Sequence, residues 1–390
     1  MKHIELIEKR LANSRGNFAR FVPIFSPDMK SCCFVIPNEH LTITVIDALI
    51  SGVFYEVHRN NKLEMIAIAF PNGEFDEKLT YIFLECYLEH IIVDHKITVK
   101  MTYNNTKKGI FTQGVLSSPL QNLMCVESGS RDKYLKSFKG ETSRTHYRRV
   151  FSPDEGSGMA LSSALTTLGM IFDSLNIPDE QGNPIAEVAV ELVGNALEHT
   201  RSDCVLDVDI ADNYVKRKEP DGKKYYGANI CVLNFSPALL SSQLKEKMCY
   251  NPQISSEGDG YRYWKLKKAY LSQKKFFNEK YADEEFFMLS AFQDKISGRP
   301  NEYLTGGTGL PTLIKSLELQ AEDDNCYVLS GDRKMRFIRR FLEYDKERWL
   351  GMNRQCDFMN CIPDPSVFTH SPIYFPGTAY NLNFVIARET

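Results

Sequence analysis

Nowhere do the 390 residues hold the ~18 consecutive apolar residues that a membrane span requires. The opening stretch, MKHIELIEKRLANS, is charged throughout and lacks the apolar core of a secretory leader. The ten cysteines are scattered from Cys32 to Cys361 without one C-x-x-C pair. Zinc-knuckle and dithiol spacings are thereby excluded, and the expectation is reduced, mostly buried thiols in a cytoplasmic protein. Charge of one sign is also missing, since 47 basic against 50 acidic residues leave a net −3. A general nucleic-acid binder carries a basic excess, so neither nucleic acid nor membrane is an expected partner. Internal repeats and low-complexity tracts are absent too. What remains is an ordinary globular composition over a length that predicts two or three domains.

The most informative stretch is 186–200, AEVAVELVGNALEHT. Ala189, Leu192, Val193, Ala196 and Leu197 recur with the helical period and form one apolar face. Glu187, Glu191, Asn195 and His199 recur every fourth residue and rise in a row on the other side. Pro184 is read as lying just before the helix, where a missing N–H costs nothing. An Asn amide oxygen is a ligand Mg²⁺ accepts beside phosphate oxygens. A carboxylate one turn earlier can deprotonate a water. The same spacing also suits a plain helix with a solvated polar face.

The string E-L-V-x-N-A-x-E-H resembles the N-box of the GHKL (Bergerat-fold) ATPase superfamily of gyrases, heat-shock chaperone ATPases, histidine kinases and mismatch-repair proteins. In style it is closest to the anti-sigma-factor kinases. The resemblance makes Asn195 the Mg²⁺ ligand and Glu191 the catalytic base. It also calls for a glycine-rich turn opening a downstream helix. Gly306, Gly307, Thr308, Gly309 and Leu310 supply one ahead of an apolar helical run. Glycines let backbone approach phosphates, and a helix N-terminus adds N–H donors. Where the family has D-x-G-x-G after a strand, this chain has Asn234-Phe235-Ser236-Pro237 after ICVL. Asn234 therefore stands for the adenine-binding Asp and Ser236 for the first Gly. The Gly-rich 257–260 follows no strand and reads as loop. Thr378, before the last strand candidate, matches the Thr that the family brings to the nucleotide pocket.

Around these motifs the chain divides into three parts. Residues 1–127 read as an N-terminal α/β domain, with strands at 63–70 and 97–103, a helix at 77–93, and 41–49 undecided between strand and helix start. Residues 128–158 carry many Lys and Arg without a strong period and read as a linker, with a nucleic-acid patch the weaker alternative. Residues 159–390 read as the ATP-binding domain. It would comprise a helix at 159–175, strands at 205–210, 228–234, 326–330, 335–338 and 379–386, a long lid at 239–304 and an insertion at 339–374. The lid bears Lys265, Lys267, Lys268, Lys274 and Lys275, read as a solvated helix face. His90 and His95 lack the acidic and proline neighbours of a phosphoacceptor histidine and read as surface or capping residues.

The expected fold is an α/β sandwich: a mixed sheet with helices on one face, preceded by a smaller α/β domain. The expected function is binding of ATP with Mg²⁺ and slow hydrolysis, coupled to a lid or partner switch. A protein partner would be reached through the N-terminal domain or the lid, and a homodimer is allowed. A serine/threonine kinase of anti-sigma-factor type and a non-catalytic nucleotide-binding scaffold are the alternatives.

Overall fold

Chain order in the N-terminal half follows from short β-branched runs alternating with apolar helices. The computed structural model describes residues 4–6, 8, 21–103, 118–124, 129–155, 157–214, 224–250, 260–296, 309–321 and 326–388. Strands β1 (Ile24–Phe25) and β2 (Ser31–Val35) are followed by β3 (His40–Leu41) and helix α1 (Ile43–Arg59). Then come β4 (Met65–Phe70), β5 (Glu74–Phe75), α2 (Lys78–Val93) and β6 (Thr98–Tyr103). Thr42 caps α1 by accepting from the Val45 N–H at 3.4 Å, which settles 41–49 as a helix start. The sheet runs β1-β2-β4-β6, with β2, β4 and β6 parallel. Parallel neighbours need a crossover, and α1 and α2 provide them. Helix α2 is buried on almost every side, as befits a helix that is apolar all round and lies between two layers.

The second half begins with α3 (Leu120–Met124), α4 (Ser130–Lys139), β7 (Gly140–Thr142) and β8 (His146–Phe151). Helices α5 (Ser157–Ser174) and α6 (Asp179–Thr200) lead into β9 (Cys204–Tyr214) and β10 (Tyr225–Phe235). Three helices follow: α7 (Ser242–Tyr250), α8 (Tyr261–Gln273) and α9 (Asp283–Ser290). Helix α10 (Gly309–Gln320) and strands β11 (Tyr327–Arg336) and β12 (Phe368–Ala387) complete the order. These strands form one sheet, β11-β12-β10-β9-β8-β7.

The α/β class is as expected, but the details of this sheet differ. Every neighbouring pair in it is antiparallel, so it is not mixed. Helices cover both faces rather than one. On one side α5, α6 and α10 share a core with Leu206, Val208, Ile230 and Leu382. On the other, α1 and α2 share a core with Val205, Leu233, Phe235 and Phe375. The layers are thus helices, six-stranded sheet, helices, four-stranded sheet. Among the described residues no helix is long and apolar enough to cross a membrane.

Three expected boundaries also change. The interval 128–158, read as a linker, contains α4 and strands β7 and β8, the last two at one edge of the sheet. Tyr134 and Phe138 bury the apolar side of α4 while its lysines face out. In place of separate strands at 326–330 and 335–338 there is one bulged strand, β11, with Gly331 at φ 61° where the register shifts. The helical part of 239–304 is core rather than a free cover: Tyr263, Leu266, Phe286 and Phe292 are fully buried. The insertion 339–374 braces it. Trp349 stacks on Phe358 with ring centroids 5.4 Å apart, and Arg262 of α8 lies 4.1 Å over the Trp349 ring.

Candidate functional site

Helix α6 starts at Asp179, ahead of the start that Pro184 suggested, so Pro184 lies inside it. The chain tolerates this because only one N–H is lost, close to the open end of the helix. Gly182 supports the early start: a Cβ there would come within 3.0 Å of the Phe172 ring of α5. Ala189, Leu192, Val193, Ala196 and Leu197 are buried, as their period requires. Glu191 is exposed and Asn195 half-buried on the polar side. The helix ends at Arg201, in the left-handed region at φ 50°, with its N–H on Leu197 O at 3.2 Å.

Just past that end, helix and sheet meet. Asn234, on β10, stands opposite Cys204 of β9 and Thr378 of β12. Its Nδ2 donates to Thr200 Oγ1 at 3.2 Å and lies 3.5 Å from Ser202 Oγ. With Nδ2 so engaged, Oδ1 is the atom that can accept from a ligand N–H. Asn234 is 2% exposed, so such a contact would form the floor of a pocket. Gly377 makes the close approach of β12 possible. Its φ is 117°, and a Cβ would sit 2.2 Å from Asn234 O. Ser236 N donates to Pro376 O at 3.1 Å, and Ser236 Oγ accepts from Ala238 N at 3.0 Å. The Ser236 hydroxyl is thus used in a local turn.

Asn234, Ser236 and half-buried Thr378 are therefore brought together at one end of the sheet, beside the end of α6. Asn195 lies five residues before Thr200, roughly 7.5 Å up the axis, and Glu191 about 6 Å further. Helix α10 packs directly on α6, with Leu313, Ile314 and Leu317 buried and Leu310 at the margin of the same core. Gly309 opens α10; Gly306, Gly307 and Thr308 lie outside the described residues, as does the 257–259 part of the alternative loop. Two of the lid lysines are engaged elsewhere. Lys265 pairs with Glu347 at 2.8 Å, and Lys268 lies 3.7 Å over the Trp264 ring. His199 Nδ1 is 2.7 Å from Gln243 Oε1, which ties α7 to the end of α6.

No protein-family model, curated protein or solved structure matches the chain.

A second polar concentration was not expected. On the face of the sheet turned to α2, Lys78 Nζ lies 2.5 Å from Asp207 Oδ1, 2.7 Å from Asp209 Oδ2 and 3.0 Å from Asn229 O. Asp207 Oδ2 is also 3.1 Å from both His146 Nε2 and Arg148 Nε. Arg148 reaches on to Glu85 of α2, which also accepts from Ser118 Oγ. All of these groups are buried. Burial works against the Asp207 carboxylate, but Lys78, Arg148 and His146 outweigh it and hold its pKa well below the usual value. Burial likewise opposes the Lys78 ammonium, and the two aspartates hold its pKa above normal. The ammonium fills the place a metal ion would take between Asp207 and Asp209. A signal for this cluster is in the sequence VLDVDI: alternation puts Asp207 and Asp209 on the face of Val205.

Proposed function

We propose that the sheet, α6 and α10 bind ATP with Mg²⁺ and hydrolyse it slowly, the bound and free states switching contacts with a protein partner. The observation that carries this reading is the placement of Asn234 opposite Thr378, with its amide on Thr200 at the end of the helix that bears Glu191 and Asn195. Two motifs far apart in sequence, around Asn234 and Thr378, thus share one end of the sheet, beside the end of the helix that bears the third. The residues suit the group. Asn234 Oδ1 would accept from the adenine amino group, and Asn195 would offer its amide oxygen to Mg²⁺. Gly306, Gly307, Thr308, Gly309 and Leu310 would cradle phosphates at the start of α10. Exposed Glu191 would hold and deprotonate the attacking water. When bound, Mg²⁺ neutralises charge on the phosphate oxygens. The eight cysteines whose side chains are described are free, which suits the reducing cytoplasm we assign to it.

The test is nucleotide binding by thermal shift, because a ligand selective for the folded state raises the melting temperature by mass action. Mg-ATP should raise it, and Asn195→Ala should abolish the rise. Glu191→Gln should bind like the parent and lose turnover by about 10²–10⁴-fold. Asn234→Asp should tighten ATP binding and sharpen preference over GTP, since a charged acceptor roughly doubles the hydrogen bond. No shift at millimolar nucleotide would remove the reading. Phosphate appearing on protein rather than in solution would replace hydrolysis by the kinase alternative.

A further inference from the structure

The carboxyl end of α2 carries a cluster of ligand atoms that nucleotide binding leaves unused. His90, in the last turn, is 7% exposed, and its Nδ1 is 2.5 Å from Asp94 Oδ2, four residues on. That contact needs the proton on Nδ1, so in the neutral ring Nε2 carries the lone pair. His90 Nε2 is buried and makes no aligned hydrogen bond, yet it lies 3.0 Å from Glu8 Oε1. The same Glu8 oxygen is 2.8 Å from His95 Nε2. With carboxylates on both sides of the ring, positive charge, carried by a proton or by a metal ion, must lie between His90 Nε2 and Glu8.

The geometry points to a zinc ion: we propose that Glu8, His90 and His95 bind Zn²⁺ and that Asp94 positions His90 for it. One oxygen and two imidazole nitrogens converge with all ligand atoms within 4.8 Å of one another. Zinc bonds of about 2.0–2.2 Å in a tetrahedron space the ligand atoms roughly 3.3–3.5 Å apart. The observed 2.8 and 3.0 Å need only a few tenths of an ångström of widening. The donor set disfavours Mg²⁺ and Ca²⁺, which demand oxygen, and suits a transition-metal ion such as zinc, which imidazole binds well. Asp94 on the opposite ring nitrogen is the carboxylate–histidine arrangement that fixes tautomer and orientation at zinc sites. A water would fill the fourth position.

Glu8 belongs to the N-terminal segment, which is anchored by fully buried Ile4, whereas His90, Asp94 and His95 belong to the end of α2 and the turn after it. The ion therefore staples the start of the chain to the helix wedged between the two sheets.

The experiment uses the full chain, stripped with a chelator and titrated with zinc sulfate by calorimetry, then loaded with Co²⁺ for its absorption spectrum. The expected result is one equivalent of zinc bound, with a Co²⁺ spectrum of nitrogen and oxygen ligation. His95→Gln should bind at least 100-fold more weakly, and Asp94→Asn about 10–100-fold more weakly, as for other carboxylates behind zinc ligands. Both side chains are partly solvent-facing, so these variants fold even where His90→Ala does not. Absence of saturable zinc binding by the parent overturns the proposal. So does parental affinity in both variants, or a thiolate-to-cobalt band placing the ion on cysteine.

Discussion

The two faces of the six-stranded sheet are built from the same strands and buried equally well, yet by different chemistry. On the α6 side β9 presents Cys204, Leu206, Val208 and Ile210, and β10 answers with Ala228, Ile230 and Val232, all apolar. On the α2 side the alternate residues include Asp207 and Asp209, and α2 brings Lys78 and Glu85 to meet charges from β8 and β9. An apolar face is held by area and shape, so it tolerates a neighbour that is roughly right. A buried charged face is held by completeness: each charge is tolerable only while its partners stay in place. The second kind of face costs more to assemble and specifies one seating of α2 against the sheet.

The largest expected effect comes from breaking the charged face at its centre. Lys78→Met leaves Asp207 and Asp209 facing a methionine and should lower stability by about 3–5 kcal/mol in urea or thermal unfolding at neutral pH. Adding Asp209→Leu should recover much of the loss, because Asp207 retains Arg148 and His146. If the double variant is no better than the single one, packing rather than unpaired charge sets the cost.

On the apolar face the matching change is milder. Ile230 is fully buried, and Ile230→Val should cost about 0.5–1.5 kcal/mol at every pH, since only a methylene is lost. A loss as large as that of Lys78→Met would erase the contrast between the faces.

The smallest effect is a drift with pH. The folded-state pKa of Asp207 is depressed, so its contribution is present above the unfolded value of about 3.9 and lost as pH falls through the folded value. Without Lys78 the aspartates protonate more readily in the folded state. The penalty of Lys78→Met should therefore shrink between pH 7 and pH 4, while that of Ile230→Val stays level. A penalty that grows on acidification would show that Asp207 is not held ionised by Lys78.

Much of this was legible one residue at a time. The apolar stripe of α6, the strands β4, β6, β9 and β10, and the helices α2 and α5 all follow from local period, since a buried face must repeat at 3.6 or 2 residues. Local reading erred where context overrides it. Pro184 suggested a helix start, but Gly182 against Phe172 sets an earlier one. The basic run 128–158 suggested a linker because β8 buries His146 and Arg148, residues normally solvated. Those two are tolerated only because Asp207 and Glu85 face them.

By itself the sequence determined most of the long elements, the sidedness of the strands it revealed and the residue types at the candidate nucleotide site. That Asp207 and Asp209 share a face with Val205 needs only the two-residue period of a strand. Tertiary structure alone decided what meets that face: Lys78 reaches Asp209 across 131 residues of chain. It also decided that Asn234 stands opposite Thr378 and that Glu8 meets His90 and His95. Periodicity is a local property of a chain with fixed bond geometry. Partnership between distant charges depends on how the layers close, and no single stretch encodes that.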